Sequence, residues 1–160
     1  MMIKVRSPIA LVASIVGCEL AGAIGAIFTV QSIPTWYAAL AKPFFTPPSY
    51  LFGPIWTTLY LLMGIALYLI YTSKRKAKGA KIALAAFAVQ LALNILWSVA
   101  FFGMRSIAGG LADIILLWVA IAVTIAAFWK VSKAAAYLMV PYLAWVSIAM
   151  ALNYSLFLLN

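Results

Sequence analysis

The most constraining feature of the chain is a series of five long apolar runs, separated by short stretches that carry most of its charge. Charged residues make up only 8% of the chain, far below the roughly 25% that is usual in a soluble domain. A spanning helix takes about 20 mainly apolar residues, so 160 residues hold five spans and no separate soluble domain. The sequence therefore predicts an all-α integral membrane protein, a five-helix transmembrane bundle with a long, partly ordered loop between helices 1 and 2. The predicted helices cover residues 8–30, 53–72, 82–102, 107–129 and 135–159, within one domain over residues 1–160.

The distribution of basic residues predicts how the bundle lies in its membrane. With five spans, two basic residues, Lys42 and Arg105, fall on one side, and nine fall on the side of the N-terminus. Those nine are Lys4, Arg6, Lys74, Arg75, Lys76, Lys78, Lys81, Lys130 and Lys133. Cytoplasmic loops carry the excess of Lys and Arg, so we expect a cytoplasmic N-terminus in a bacterial-type cell membrane rather than a mitochondrial outer membrane. Nucleic-acid binding is not expected, because no basic face forms outside the bilayer.

The segment from Trp36 to Trp56, WYAALAKPFFTPPSYLFGPIW, interrupts the apolar runs with prolines and aromatic residues. Proline fixes φ and restricts the residue before it, so this segment predicts a loop of defined shape. A proline-broken aromatic segment between two spanning helices must cap or line something, and we interpret residues 36–53 as a lid over a cavity. The predicted lid residues are Trp36, Lys42, Pro43, Phe44, Phe45, Pro47 and Pro48.

Three of the predicted helices carry aromatic and amide side chains at helical spacing. Residues three or four apart share a helix face. The groups at this spacing are Trp56 with Tyr60 in helix 2, Asn94 with Trp97 in helix 3, and Tyr142, Trp145 and Ala149 in helix 5. Such faces predict either an apolar cavity with sparse polar anchors for a flat ligand, or plain helix packing joined by amides. The spacing alone leaves both alternatives open.

Few residues in the chain are suited to catalysis or metal binding. The chain has no histidine, and its two carboxylate side chains, Glu19 and Asp113, lie inside apolar runs. A charge there costs at least about 2.5 kcal/mol on insertion scales, so each carboxyl is expected to face the bundle interior or a polar partner. A structural carboxyl is favoured over a proton relay, and the single cysteine, Cys18, is interpreted as a small buried apolar residue. The sequence shows no catalytic constellation or metal-ligand cluster, and no cofactor is expected to be required.

Several ordered motifs together resemble one known family. The segments are WYAALAKPFFTPP, FGPIW, QLALNILWSVAFFG, GLADIILL and PYLAWVSIAMALNY. In order and spacing they are similar to the translocator protein family, also called TspO/MBR, tryptophan-rich sensory protein or peripheral benzodiazepine receptor. The resemblance extends from about Gly17 to the end of the chain. It implies a five-helix bundle, often a homodimer, with a ligand pocket between the helices and the first loop folded over it.

The resemblance also implies which ligands the protein binds. They are protoporphyrin IX and haem, as ligands rather than required cofactors, and isoquinoline or benzodiazepine-type compounds, with membrane lipid around the bundle. The family's pocket residues fall on Tyr37, Trp56, Asn94, Trp145 and Ala149. Tyr60, Trp97 and Tyr142, from the shared helix faces, complete the predicted ligand-binding site. The predicted function is therefore a membrane receptor or sensor for tetrapyrroles.

Two other functions stay open beside the receptor hypothesis. Family members are reported to degrade porphyrin in light, and the tryptophans implicated match Trp56 and Trp145, the candidate catalytic residues of that alternative. Transport of porphyrin or lipid is the second alternative, against which the absence of an inverted repeat argues weakly. Many family members have a tryptophan in the lid where this chain has Phe44 and Phe45. The phenylalanine rings can still stack on a ligand, but they cannot supply the redox chemistry of an indole. Tyr154 lacks the following basic residue that a cholesterol motif requires.

Overall fold

The structure is a computed structural model that describes residues 7–73 and 79–160. The helices are α1 (Pro8–Ser32), α2 (Phe52–Ser73), α3 (Ala80–Ser98), α4 (Ile107–Val131) and α5 (Lys133–Leu159). Two π-helical segments, Ile33–Tyr37 and Val99–Gly103, extend α1 and α3, and a 3-10 turn, Ser49–Leu51, precedes α2. Each of these five helical stretches is long and apolar enough to cross a membrane. The predicted five-helix membrane bundle is confirmed.

Serine side chains begin three of the five helices. Ser7, Ser106 and Ser132 precede α1, α4 and α5, and each hydroxyl accepts a hydrogen bond from the backbone N–H three residues further on, at 3.0–3.3 Å. This is the ordinary N-cap arrangement, which satisfies a donor that the first helical turn leaves unpaired. Because Ser132 is the only residue between α4 and α5, the cap also sets the tight turn between these two helices.

The helices form a closed ring in the order α1, α2, α5, α4, α3. The most extensive contacts join α3 to α4, α4 to α5 and α1 to α2, and further contacts join α2 to α5 and α1 to α3. The interior is filled by large apolar side chains such as Met63, Ile70, Phe128 and Met139, all fully buried. Each helix therefore has two neighbours in the ring and one face left for the surroundings.

The outer face of the bundle is apolar. Large exposed side chains include Val12, Val16, Ile24, Val119 and Val123, and α1 is the least buried of the five spans. An apolar outer surface matches a bilayer, so the chain is an integral, multi-pass membrane protein.

The predicted orientation in the membrane rests on nine basic residues. Six of them lie outside the described residues: Lys4, Arg6, Lys74, Arg75, Lys76 and Lys78. The homodimer stays a prediction.

The first helix is longer than predicted and continues through Trp36 and Tyr37 to residue 39. The predicted end of the helix near residue 30 and the predicted start of the loop at Trp36 both fall within this helical stretch, so that start of the loop is wrong. Pro34 lacks an N–H and would crowd a carbonyl of the preceding turn in a regular α-helix. Here it lies in the second position of the wider π-helical turn, so the helix continues past it. The irregular stretch of the loop covers residues 40–48.

The π segment at the end of α3 adjoins the π segment at the end of α1. The Ser32 hydroxyl donates a 2.9 Å hydrogen bond to the backbone oxygen of Phe102. The Trp36 ring packs edge-on against Phe101, with ring centres 5.3 Å apart. Such bulges often occur at functional sites. This junction positions the aromatic side chains that surround the candidate site.

Candidate functional site

Two cavities lie near the junction of the π segments. The main cavity, about 350 Å³, opens between α1, α2 and α3. The side cavity, only about 20 Å³, lies between the π segments, the loop and α5, and has room for about one water molecule. Phe52, Trp97 and Phe102 line both cavities. These three rings, which we call the partition, therefore separate the two spaces.

The predicted ligand-binding residues divide between the two cavities. Trp56, Tyr60 and Asn94 line the main cavity, and Trp97 lines both. Tyr37, Trp145 and Ala149 line the side cavity. Tyr142 is fully buried and belongs to the lining of neither, but its ring lies 6.1 Å from Trp56. The faces that sequence spacing grouped thus converge on one region, as two adjoining spaces rather than one pocket.

A buried polar network joins three helices beside the main cavity. The Tyr60 hydroxyl of α2 donates to the side-chain oxygen of Asn94 in α3. The Asn94 side-chain nitrogen donates in turn to the Tyr142 hydroxyl of α5, at 2.9 Å. The Trp56 ring lies beside this network, 5.6 Å from the ring of Tyr60. The amide of Asn94 therefore holds the aromatic wall of the cavity in one arrangement.

One ring of the partition, Trp97, is held by a second polar contact. The Trp97 indole N–H donates to the side-chain oxygen of Asn153 at 3.2 Å, and the Asn153 amide donates to the backbone oxygen of Ile107 at 3.0 Å. The indole of Trp97 also stacks on Phe101, with ring centres 5.3 Å apart and planes 10° apart. The ring between the two cavities is thus held by α4 and α5 as well as by its own helix.

Two buried hydrogen-bond donors belong to residues that line the side cavity and have no partner in the described part of the chain. They are the Tyr37 hydroxyl and the Trp145 indole N–H, which make no hydrogen bond within residues 7–73 and 79–160. An unpaired buried polar group costs about 1–3 kcal/mol. Both residues line the side cavity. Their donors are therefore the candidate polar anchors of the site.

The loop 40–48 closes the end of the bundle, and Lys42 holds its start. The Lys42 ammonium donates to the backbone oxygens of Ala38 and Leu40, each at 3.0 Å, and lies 4.9 Å from the centre of the Tyr37 ring. A cation at the C-terminal end of a helix interacts favourably with its unpaired carbonyls. Lys42 therefore fixes the turn from α1 into the loop.

The remaining lid residues have different environments. Pro43 accepts hydrogen bonds from the backbone and hydroxyl of Thr46, which forms a turn around Phe44 and Phe45. Phe44 is fully exposed and Phe45 is 40% exposed, and the two rings pack edge to face. Pro47 lines the side cavity, and Pro48 leads into the 3-10 turn before α2. Among the proline and phenylalanine residues of the loop, Pro47 is thus the one in contact with a cavity.

The end of α5 is attached to the start of the loop. The side-chain oxygen of Asn160 accepts from the backbone N–H of Ala41 at 2.9 Å, and its nitrogen donates to the backbone oxygen of Ala41 at 3.0 Å. The side-chain amide thus pairs with both backbone groups of one loop residue. Nothing in the sequence indicates this contact, because 119 positions separate the two residues.

The two membrane carboxyls have different surroundings. Glu19 is half-buried and lines the main cavity. Asp113 is buried, and its Oδ2 atom has no hydrogen-bond partner in the described part of the chain. Cys18 is fully buried, as expected of a small apolar residue. No group of three His, Cys, Asp or Glu residues comes together within the described ranges.

Sequence reasoning missed several residues of the main cavity. Phe52, Phe102 and Ser98 line it, and so do small residues of α1 such as Gly22. A methyl group at Gly22 would overlap the Tyr60 ring, so a side chain there would displace an aromatic wall. The recurrence of small residues in α1 was the available signal, since small residues allow close helix approach. It could not distinguish a packed face from a cavity wall.

Comparison with known proteins identifies relatives over nearly the whole chain. The TspO/MBR family matches residues 14–159. "Tryptophan-rich protein TspO" of Archaeoglobus fulgidus is 47% identical over 94% of this chain and 96% of its own length. "Tryptophan-rich sensory protein" of Cereibacter sphaeroides is 40% identical over 78% and 77%, and "Translocator protein" of Bos taurus is 42% identical over 85% and 81%. With its five spanning helices and its match over all of them, the chain belongs to the TspO/MBR family.

Proposed function

We propose that this protein is a membrane receptor or sensor that binds tetrapyrroles, such as protoporphyrin IX and haem, and isoquinoline or benzodiazepine-type compounds between its helices. The observation that carries the proposal is the pair of adjoining aromatic cavities with two unpaired donors, on Tyr37 and Trp145. Apolar walls with a few placed polar groups are typical of sites for small hydrophobic ligands. Membership of the TspO/MBR family supports the coarser part of the proposal, a receptor or sensor in the membrane.

A flat macrocycle would use both cavities. It would stack on Trp56 in the main cavity and reach Trp145 when the partition shifts, because the side cavity alone is too small for it. Aromatic pairs contribute about 0.5–1.5 kcal/mol beyond the area they bury. Acceptor groups on the ligand would satisfy the N–H of Trp145 and the hydroxyl of Tyr37. Ligand binding would therefore couple the two spaces that the partition separates.

The loop supplies a cation for the acidic groups of a tetrapyrrole. An ammonium group has three donors, and Lys42 uses two of them on backbone oxygens. Its third donor is available for a propionate at the mouth of the site. Arg105, in the exposed turn between α3 and α4, is the other basic residue predicted on this side. A tetrapyrrole would accordingly bind with its propionates towards the loop.

Substitution of both tryptophans by phenylalanine, Trp56→Phe with Trp145→Phe, is expected to weaken protoporphyrin IX binding about tenfold, which is 1.4 kcal/mol. The indole faces and the Trp145 N–H are lost, while most apolar volume stays. The affinity is measured from the change in porphyrin absorbance on titration of the protein in nanodiscs.

Trp129→Phe is the matched control, because Trp129 packs on Tyr137 and Lys133 and lines neither cavity. It should leave the affinity at the wild-type value. A double variant that binds as tightly as the wild type would show that the proposed site is wrong. A new bilin-like absorbance under illumination, lost in the double variant, would instead favour the enzymatic alternative.

The proposed orientation places the N-terminus in the cytoplasm and the loop 40–48 outside. We expect a membrane-impermeant maleimide added to intact bacterial cells to label Arg105→Cys and to leave Lys133→Cys unlabelled. Both positions are exposed, and the native Cys18 is fully buried and should not react. Labelling restricted to Lys133→Cys would reverse the orientation.

A further inference from the structure

The floor of the main cavity carries a carboxylate that the proposed function does not use. Glu19 lies 14 positions before Ile33 in the same helix, and both residues line the cavity. At 1.5 Å per helical residue, Glu19 is about 21 Å along the helix from Ile33, and Ser49, in the turn before α2, also lines the cavity. The cavity is therefore an elongated space with its mouth near the loop and its carboxylate at the far end.

Glu19 has no hydrogen-bond or ion-pair partner among the residues that the structure describes. Its side chain makes no hydrogen bond and no ion pair with any residue of 7–73 or 79–160, and it is only half-buried, so its oxygens remain accessible from the cavity. A carboxylate within a membrane span is expensive unless a partner or water compensates it, and such residues are functional-site candidates for that reason. Asp113, the other membrane carboxyl, lines neither cavity and offers no comparable access.

The cavity walls between Glu19 and the mouth can contact both a cation and the apolar part of a ligand. Gly22, Ala23 and Ala26 of α1 leave the space open on one side. Trp56 and Tyr60 present aromatic rings on the other side, with centres 5.6 Å apart and planes tilted by 30°. Aromatic faces attract a cation, and the attraction grows where water is excluded. A carboxylate at the end of an aromatic passage is the combination that recognises an ammonium group.

We propose that the main cavity binds an elongated apolar ligand with a protonated amine, whose ammonium group pairs with Glu19. This inference rests on the proposed function, because it assumes that the cavity is the ligand site. It adds a further ligand class, and it supports the orientation proposed above for a tetrapyrrole. Glu19 disfavours the propionates of a tetrapyrrole at the floor of the cavity, so they face the loop and Lys42.

The test compares two probes of nearly equal shape, 4-phenylbutylamine and 4-phenylbutan-1-ol. Binding is measured from tryptophan fluorescence of the full chain in phosphatidylcholine nanodiscs, with empty nanodiscs as the correction for partition into lipid. The wild type is expected to bind the amine about tenfold more tightly than the alcohol. Glu19→Gln keeps the shape of the side chain and removes its charge, so it should bind the two probes equally. Asp113→Asn removes the other carboxyl and should keep the wild-type preference.

Equal affinity of the wild type for the two probes overturns the inference, and so does a tenfold preference that survives in Glu19→Gln. Alcohol binding by Glu19→Gln reports that the variant is folded. If that variant does not fold, Glu19→Asp takes its place. Its side chain is one methylene shorter, so the charge lies further from the ammonium group, and amine binding should weaken more than alcohol binding. Equal losses for the two probes count against the inference. Protoporphyrin IX is titrated into the same wild-type sample. Porphyrin binding without amine preference refutes this inference alone, and absence of porphyrin binding refutes the proposed function.

Discussion

Replacement of Gly64 by alanine is expected to lower the free energy of unfolding by about 2 kcal/mol, within the range for overpacked cores. Gly64 is buried where α2 crosses α1. A methyl group there would lie 2.6 Å from the Cα atom and 3.0 Å from the nitrogen of Ile15. These atoms are backbone, so no side-chain rotation removes the overlap and the two helices must separate. The loss exceeds the gain of up to about 1 kcal/mol from replacing glycine by alanine in a helix.

Gly17→Ala is the matched control for this prediction. It makes the same chemical change in the neighbouring helix, but none of the described residues places an atom within 4 Å of the added methyl group. The temperature at which half of the protein stays monodisperse in detergent should fall by several degrees for Gly64→Ala and stay constant or rise for Gly17→Ala. A similar fall for both variants would mean that glycine itself, rather than close helix approach, matters at these positions.

The sequence was sufficient to predict the five spans, because apolar length alone identifies a membrane helix. It was insufficient at the end of α1, where Pro34 is accommodated in a π turn instead of ending the helix. The second π segment, Val99–Gly103, has no proline to indicate it. Local sequence identifies a spanning helix, whereas a change in its winding, and with it the residue at which the helix ends, depends on the neighbour against which it packs.

The candidate site was predictable only in part. Helical spacing correctly grouped Trp56 with Tyr60 and Asn94 with Trp97 on shared faces that line the main cavity. Spacing within single helices does not determine the distance between helices, so it could not show that the partition divides the space. The hydrogen bonds between Asn160 and Ala41 of the loop could not be predicted either. They depend on where along the bundle axis α5 ends relative to α1.

Replacement of Asn94 by leucine is expected to lower the free energy of unfolding by about 2–3 kcal/mol. Leucine fills a similar volume but leaves the buried hydroxyls of Tyr60 and Tyr142 without the partner that joins them. Each unsatisfied buried group costs about 1–3 kcal/mol, although hydrogen bonds between membrane helices measured by double-mutant cycles average nearer 0.6 kcal/mol. Both hydroxyls lose their partner, so the two costs add. The expected loss is at the lower end of their sum because such hydrogen bonds are weak between membrane helices and because leucine conserves the packing. The same thermal assay measures the loss.

Gln90→Leu separates this effect from the general removal of a buried amide. Gln90 lies one turn before Asn94 and is fully buried, but its nitrogen has only a 4.0 Å contact with the Met63 sulfur and its oxygen has no partner in the described chain. Its replacement should therefore be neutral or stabilising, since an unpaired polar group is removed. In a double-mutant cycle, Tyr60→Phe should cost less in the presence of Asn94→Leu than alone, because the hydroxyl has then already lost its acceptor. Strictly additive losses would show that Asn94 stabilises the bundle by packing and not through the polar network that joins α2, α3 and α5.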